Sequence, residues 1–150
     1  MDRLIAAGFK TIGAWPSADG AGTSVTDAMK AAEFYFKKIN ERPDRYQIVR
    51  TVADIDNAVA AGKLGLYFTN QGTSIFEGDP DRVAFWRQLG YGYCLLSYNG
   101  RNQYGDGCFE PDNGRLTTVG KILVEAYNRY GMIVDVSHTG ERTSLDAREA

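Results

Sequence analysis

Two kinds of apolar pattern alternate along the chain. Short, nearly unbroken apolar runs occupy residues 11–15 (TIGAW), 46–49 (YQIV), 64–69 (LGLYFT), 91–98 (YGYCLLSY) and 132–136 (MIVDV). Runs of this length, rich in aromatic and β-branched residues, predict buried strands. Between them, apolar residues recur at steps of three and four, the spacing of one helix face. Residues 24–42 place Val25, Met29, Ala32, Phe36 and Ile39 on such a face, with Thr23 or Ser24 as cap and Pro43 just past the end. Thr51, with Asp54 three residues on, opens a helix that turns Ile55 and Val59 inward and closes at Gly62. Asp79 and Pro80 read as N-cap and first helical residue of a helix over 80–89, with Val83, Trp86 and Leu89 inward and Gly90 as stop. Thr117 caps a helix carrying Val119, Ile122, Leu123, Ala126, Tyr127 and Tyr130, closed by Gly131. A last helix begins around Thr143. Residues 17–23 and the Gly- and Asn-rich residues 99–114 read as loops, the first of them exposed.

Strands alternating with helices predict βαβ units and a parallel sheet, and strands this apolar fit a sheet covered on both faces. The fold class is therefore α/β, with four to five parallel strands: an open doubly wound sheet or part of a TIM-like (β/α)8 barrel. A closed barrel takes roughly 200 residues or more, so these 150 residues, read as one domain, do not close one alone.

Composition narrows the function classes. At 43% hydrophobic residues the chain has enough apolar surface for a real core. A net charge of -2 supplies no basic footprint for nucleic acid or an anionic membrane. No apolar run approaches the ~18 residues of a membrane span. The LIAAGF stretch behind Met1-Asp2-Arg3 is too short for a secretory signal, so a cytoplasmic location is expected. The two cysteines form no CxxC pair. Cys94 reads as a buried thiol in a strand, and no Cys94–Cys108 bridge is expected.

The conspicuous polar residues follow strands. Asn70 and Gln71 follow LGLYFT; Tyr98, Asn99, Arg101, Asn102 and Asp106 follow or adjoin YGYCLLS; His138, Glu141 and Arg142 follow MIVDVS. In a parallel sheet these loops share the face at the carboxyl ends of the strands, where such folds bind ligands. His138 is the chain's one histidine. A single histidine is commonly a hydrogen-bonded structural group, and its place at a strand end raises the ligand reading beside it. Asp135, a carboxylate within an apolar strand, needs a partner: a salt bridge or loop anchor on the plainer reading, an orienting partner for the imidazole on the functional one. Asp106, in YGDG, reads as a turn residue. Tyr35, Phe36, Phe85 and Trp86 read as core. There is no GxGxxG, GxxxxGK[ST], HExxH or GxSxG motif, and one histidine without a compact Cys, His or carboxylate cluster does not make a self-contained zinc site.

Residues 115–147, RLTTVGKILVEAYNRYGMIVDVSHTGERTSLDA, resemble the membrane dipeptidase (renal dipeptidase, peptidase M19) family. That family has an R-L-T-x-x-G start, an N-R-x-G-M helix end and a V-D-x-S-H strand. Residues 95–108 (LLSYNGRNQYGDGC) and 42–68 are similar to the family's preceding segments, so the resemblance covers nearly the whole chain. It implies part of a longer TIM-like barrel with a binuclear zinc centre, and a reading frame in which Met1 is internal. The family's ligands are a His-x-Asp pair on the first strand, a bridging Glu after the third, and two histidines from later strands. On this sequence, His138 matches the first of those later histidines. The His-x-Asp pair would lie before Met1 and the second histidine beyond Ala150. The bridging position falls on Asn70 and Gln71, with Gln71 the implied metal residue, although an amide bridges metals poorly. The family's substrate-polarising histidine corresponds to Tyr98, which can donate a hydrogen bond to an oxyanion but cannot carry an imidazole's proton.

The function implied is zinc-dependent hydrolysis of dipeptides by metal-activated water, with one or two Zn2+ ions and room for a homodimer of the complete protein. His138 would hold one metal, Tyr98 would face the substrate, and Asp135 and Arg142 would support the loop. The alternative is a binding, regulatory or altered-substrate relative without the bridging carboxylate. The 150 residues alone are expected neither to hydrolyse dipeptides nor to hold metal tightly.

Overall fold

A computed structural model describes residues 1–15 and 24–150. In chain order the elements are α1 (Asp2–Ala6), β1 (Thr11–Ala14), α2 (Val25–Glu41), β2 (Tyr46–Ile48), α3 (Val52–Ala60), β3 (Leu64–Asn70), a single 3-10 turn (Ser74–Phe76), α4 (Arg82–Leu89), β4 (Tyr91–Leu95), α5 (Thr118–Tyr130), β5 (Ile133–Asp135) and α6 (Glu141–Glu149). The expected loop at 17–23, and Thr23 as a cap, lie outside the described residues.

All strand pairings are parallel, and most run through β3. One edge of β3 pairs with β1, from Thr11 opposite Gly65 to Ala14 opposite Phe68. The other edge is shared: Leu64, Gly65 and Leu66 pair with β2, and Phe68, Thr69 and Asn70 with β4. The amides show the division, because Gly65 donates to Lys10 while Leu64 and Phe68 donate to Arg45 and Gly90. β5 pairs with β4, Tyr93 opposite Ile133 and Leu95 opposite Asp135.

Side chains alternate across β3. Leu64, Leu66 and Phe68 are fully buried, and Phe68 meets Phe36 and Tyr91 at ring-centroid distances of 5.7 and 5.5 Å. Tyr67 faces the other way. With Thr11, Tyr93, Gly92 and Ile133 it lines an open groove of about 620 Å³ that Arg50 and Arg87 also border. Gly13 and Gly92 make room for its ring, since a Cβ at either would come within 3.1 or 3.0 Å of it. The expectation of a sheet covered on both faces is thus met on the side of Leu64, Leu66 and Phe68, while the side of Tyr67 opens to the groove. Ile133 is 67% exposed on the groove side.

Helix ends follow the sequence signals. Ser24 Oγ accepts from the Asp27 amide at 3.1 Å. Thr51 and Asp54 form a reciprocal capping box. Thr117 Oγ1 accepts from the Gly120 amide at 2.9 Å, and Gly90 and Gly131 close α4 and α5 with left-handed backbones. Three details differ. α4 starts at Arg82 rather than Pro80, because Asp79 instead binds the Asp81 amide in the turn ahead. α6 starts at Glu141, two residues before Thr143. α1 is an extra short helix whose Asp2 accepts from the Tyr46 hydroxyl.

The inward faces also differ from the apolar count. α2 buries Ala28 and Ala32 and leaves Met29 exposed; Val59, Val119, Ile122 and Phe85 are exposed as well. Trp86 is buried as expected, with Nε1 donating to the Ile75 carbonyl at 3.0 Å. Cys94 is buried, Cys108 is exposed, and no disulfide joins them. Among the described residues no helix is long and apolar enough to cross a membrane.

Candidate active site

β4 and β5 lie side by side, so the segments leaving their carboxyl ends meet. The β4 exit runs through the buried Leu96 and Ser97 to the half-buried Tyr98 and Asn99. The β5 exit turns at once. Asp135 Oδ1 accepts from the Ser137 amide at 2.8 Å, and the Thr139 amide returns to the Val136 carbonyl at 3.0 Å. Asp135 is therefore a loop anchor, the plainer of its two readings. The turn gives His138 a φ of +62°, a left-handed conformation uncommon outside glycine.

That backbone brings the imidazole over the β4 exit. The rings of Tyr98 and His138 stack at 4.3 Å between centroids and 22° between planes. His138 Nδ1 lies 2.9 Å from Asn99 Oδ1. An amide oxygen only accepts, so Nδ1 carries the proton and the ring's lone pair sits on Nε2, which has no partner among the described residues. An imidazole held by one nitrogen, with the other open, is how a histidine is prepared for a metal. The orienting group is Asn99, which the sequence reading assigned no such part. Adjacent strands ending at one height are the signal for it.

Gln71, the third predicted site residue, is half-buried just past β3, and the register Asn70–Cys94–Val134 sets it level with Leu95 and Asp135. It therefore sits three residues short of Tyr98 and His138, and no hydrogen bond joins it to either. Asn70 is fully buried and donates to the Gly72 carbonyl at 2.9 Å. Arg142 supports the loop through its backbone, whose amide donates to Asn113 Oδ1 at 3.0 Å. Asp106 is more than a turn residue: its buried carboxylate takes the Arg101 guanidinium, which holds its pKa below the ordinary carboxylate value.

For zinc, His138 fits as one ligand, by its free nitrogen and fixed tautomer. No group of three or more His, Cys, Asp or Glu side chains able to hold a metal occurs among the described residues. The amides of Asn70 and Gln71 are weaker donors than a carboxylate. The described residues thus offer one suitable donor and a rim, with no closed coordination sphere among them.

Residues 1–150 match the family model of membrane dipeptidases (peptidase family M19). The dipeptidase aclJ of Aspergillus oryzae is 30% identical over 123 residues, covering 79% of this chain and 29% of the fungal protein. The dipeptidase verJ of Clonostachys rogersoniana is 26% identical over 127 residues, covering 83% and 33%. The chain spans about a third of the length of these curated relatives. Among solved structures, an amidohydrolase from Pseudomonas aeruginosa superposes with a TM-score of 0.88 at 28% identity, over 97% of this chain and 44% of that one. A metallopeptidase from Rhodobacter sphaeroides, liganded with a phosphinate mimic of L-Ala-D-Ala, shares the fold with a TM-score of 0.73 at 23% identity, over 93% and 39%. The five parallel strands with alternating helices are a partial TIM-like α/β architecture. With the family match running from end to end and the His138 strand at its rim, the chain belongs to the membrane dipeptidase family, peptidase family M19.

Proposed function

We propose that the protein is a zinc-dependent dipeptidase and that His138 supplies one metal ligand. The observation that carries this is the imidazole itself: Nδ1 fixed on Asn99 at 2.9 Å, Nε2 without a partner among the described residues, at the carboxyl ends of the strands. The dipeptidase relatives support the substrate class. Bound zinc supplies a nucleophile at neutral pH by lowering the pKa of its water toward ~7. This chain's own residues hold and orient: Asn99 keeps His138 in one tautomer, Tyr98 packs against the imidazole, and the Tyr98 phenol is the donor offered to a developing oxyanion. The amides Asn70 and Gln71, where the family carries a bridging carboxylate, favour a second reading: one weakened metal site, with altered substrate choice or no catalysis.

The test compares the full-length protein with its His138→Ala variant for zinc content and dipeptide hydrolysis. We expect stoichiometric zinc and turnover in the parent, and in the variant a loss of zinc with kcat/KM down roughly 100-fold or more, the upper end of what ligand-shell changes cost. Zinc and turnover unchanged in the variant would remove His138 from the site. A parent with neither zinc nor turnover establishes the non-catalytic reading.

A further inference from the structure

Resting on the reading of His138 as a metal ligand, we propose that Asp106, clamped by Arg101, is a positioning residue that ties the β4 exit to the β5 exit and so holds His138 over Asn99. Asp106 is 3% exposed. Its carboxylate accepts from Arg101 Nε at 2.6 Å and Nη2 at 3.0 Å, and from the Gly114 amide at 2.6 Å. Its backbone reaches both exits. The carbonyl accepts from Ser97 Oγ at 2.8 Å, on the β4 side, and from the Gly140 amide at 2.7 Å, on the β5 side. Its amide donates to Thr143 Oγ1 at 3.0 Å, and that hydroxyl donates onward to the Gly114 carbonyl at 2.9 Å.

The next two residues reach the histidine. Gly107 bridges Thr139 in antiparallel fashion, and the Cys108 amide donates to the His138 carbonyl at 2.7 Å. Residues 105–108 are thus a strip wedged between the two exits. The fit is close enough to need glycine: a Cβ at Gly107 would lie 2.2 Å from the Tyr98 carbonyl oxygen, and one at Gly105 2.3 Å from Thr143 Cγ2.

A left-handed φ on a histidine persists only where its surroundings over-determine it. Here the Cys108 amide grips the residue from one side, and Asp106 fixes the strip carrying that amide. Without the carboxylate–guanidinium clamp the strip loosens, the His138 turn relaxes, and the 2.9 Å contact to Asn99 is lost.

The experiment uses the full-length protein with Asp106→Asn, Arg101→Gln, Arg101→Lys and His138→Ala. Each is measured for thermal midpoint, zinc dissociation constant by competition with a chromophoric chelator, and kcat and KM separately. Asp106→Asn and Arg101→Gln should weaken zinc binding roughly 10- to 100-fold, the usual effect of residues behind a metal ligand. They should lower kcat while KM stays within about twofold, and Arg101→Lys should recover part of the loss. If Asp106→Asn does not fold, Arg101→Gln decides, because that side chain is 53% exposed and its removal leaves the backbone ties in place. Zinc lost in His138→Ala but kept in Asp106→Asn and Arg101→Gln, with only the midpoint lowered, overturns the positioning role alone. Zinc kept in His138→Ala overturns the ligand reading and the positioning role with it.

Discussion

Tyr127 carries a phenol into the core with no bonding partner among the described residues. The residue is fully buried, its ring meets Phe76 at 5.8 Å, and its hydroxyl has no hydrogen-bond partner among those residues. Burial pushes that hydroxyl's pKa well above its ordinary value. An unbonded buried hydroxyl costs about 1–3 kcal/mol. Tyr127→Phe keeps the ring and removes the cost, so the urea unfolding midpoint should rise, by about 1 kcal/mol in stability; a fall would show that the hydroxyl is bonded. Nothing in the sequence separates such a tyrosine from a bonded one, because the helical stripe records only that position 127 is inward. The site was legible to a similar depth. His138 and Tyr98 stood out as polar residues just past apolar strands, and they do meet. Asn99 stood out with them, but its hold on His138 did not, because that contact depends on the left-handed turn at His138, which no periodicity encodes. Asp106 looked like turn chemistry because YGDG is a turn composition; its burial comes from two loops closing on it.

At the scale of elements, starts and stops were written locally and inward faces were not. Thr51, Thr117, Gly90 and Gly131 act within one turn, where the caps form. Which side of α2 or α5 is buried depends on partners far along the chain, so the face moved to Ala28 and Ala32, and Val119 and Ile122 turned outward. α6 is a further case, since an ion pair joins the buried Thr143 and Ala147 in holding it to the rest. The Arg115 guanidinium grips Asp146 at 3.0 and 2.8 Å, with help from the Leu116 amide at 3.1 Å, and holds its carboxyl below the ordinary range. Arg101 does the same for Asp106. A carboxylate whose folded pKa is depressed contributes its stability above the unfolded value, about 3.9, and loses it as pH falls through the lower folded value. Acidification below about pH 4 should therefore loosen α6 and the 100–114 loop ahead of β3. Amide-exchange protection factors at pH 6 and pH 3 check this: residues 141–149 should lose protection first, and parallel loss in β3 would contradict it.

At the scale of the molecule, the alternation of strand and helix foretold the parallel sheet, but not that one of its faces is open. Tyr67, Tyr93 and Ile133 line a groove of about 620 Å³, and β1 and β5 each pair along one edge among the described residues. Open strand edges beside apolar surface template association. The 150-residue polypeptide expressed alone should self-associate, its sedimentation coefficient rising with concentration; a monodisperse monomer that unfolds cooperatively would refute this. The sheet's wiring adds a different consequence. β3 gives one edge to β1 and divides the other between β2 and β4. A slip of one residue there would exchange Tyr67 for Leu66 and Phe68 in the core and misalign three partners together. Alignment is then settled once, on a single template strand, and the heights at which Tyr98 and His138 emerge are inherited from it.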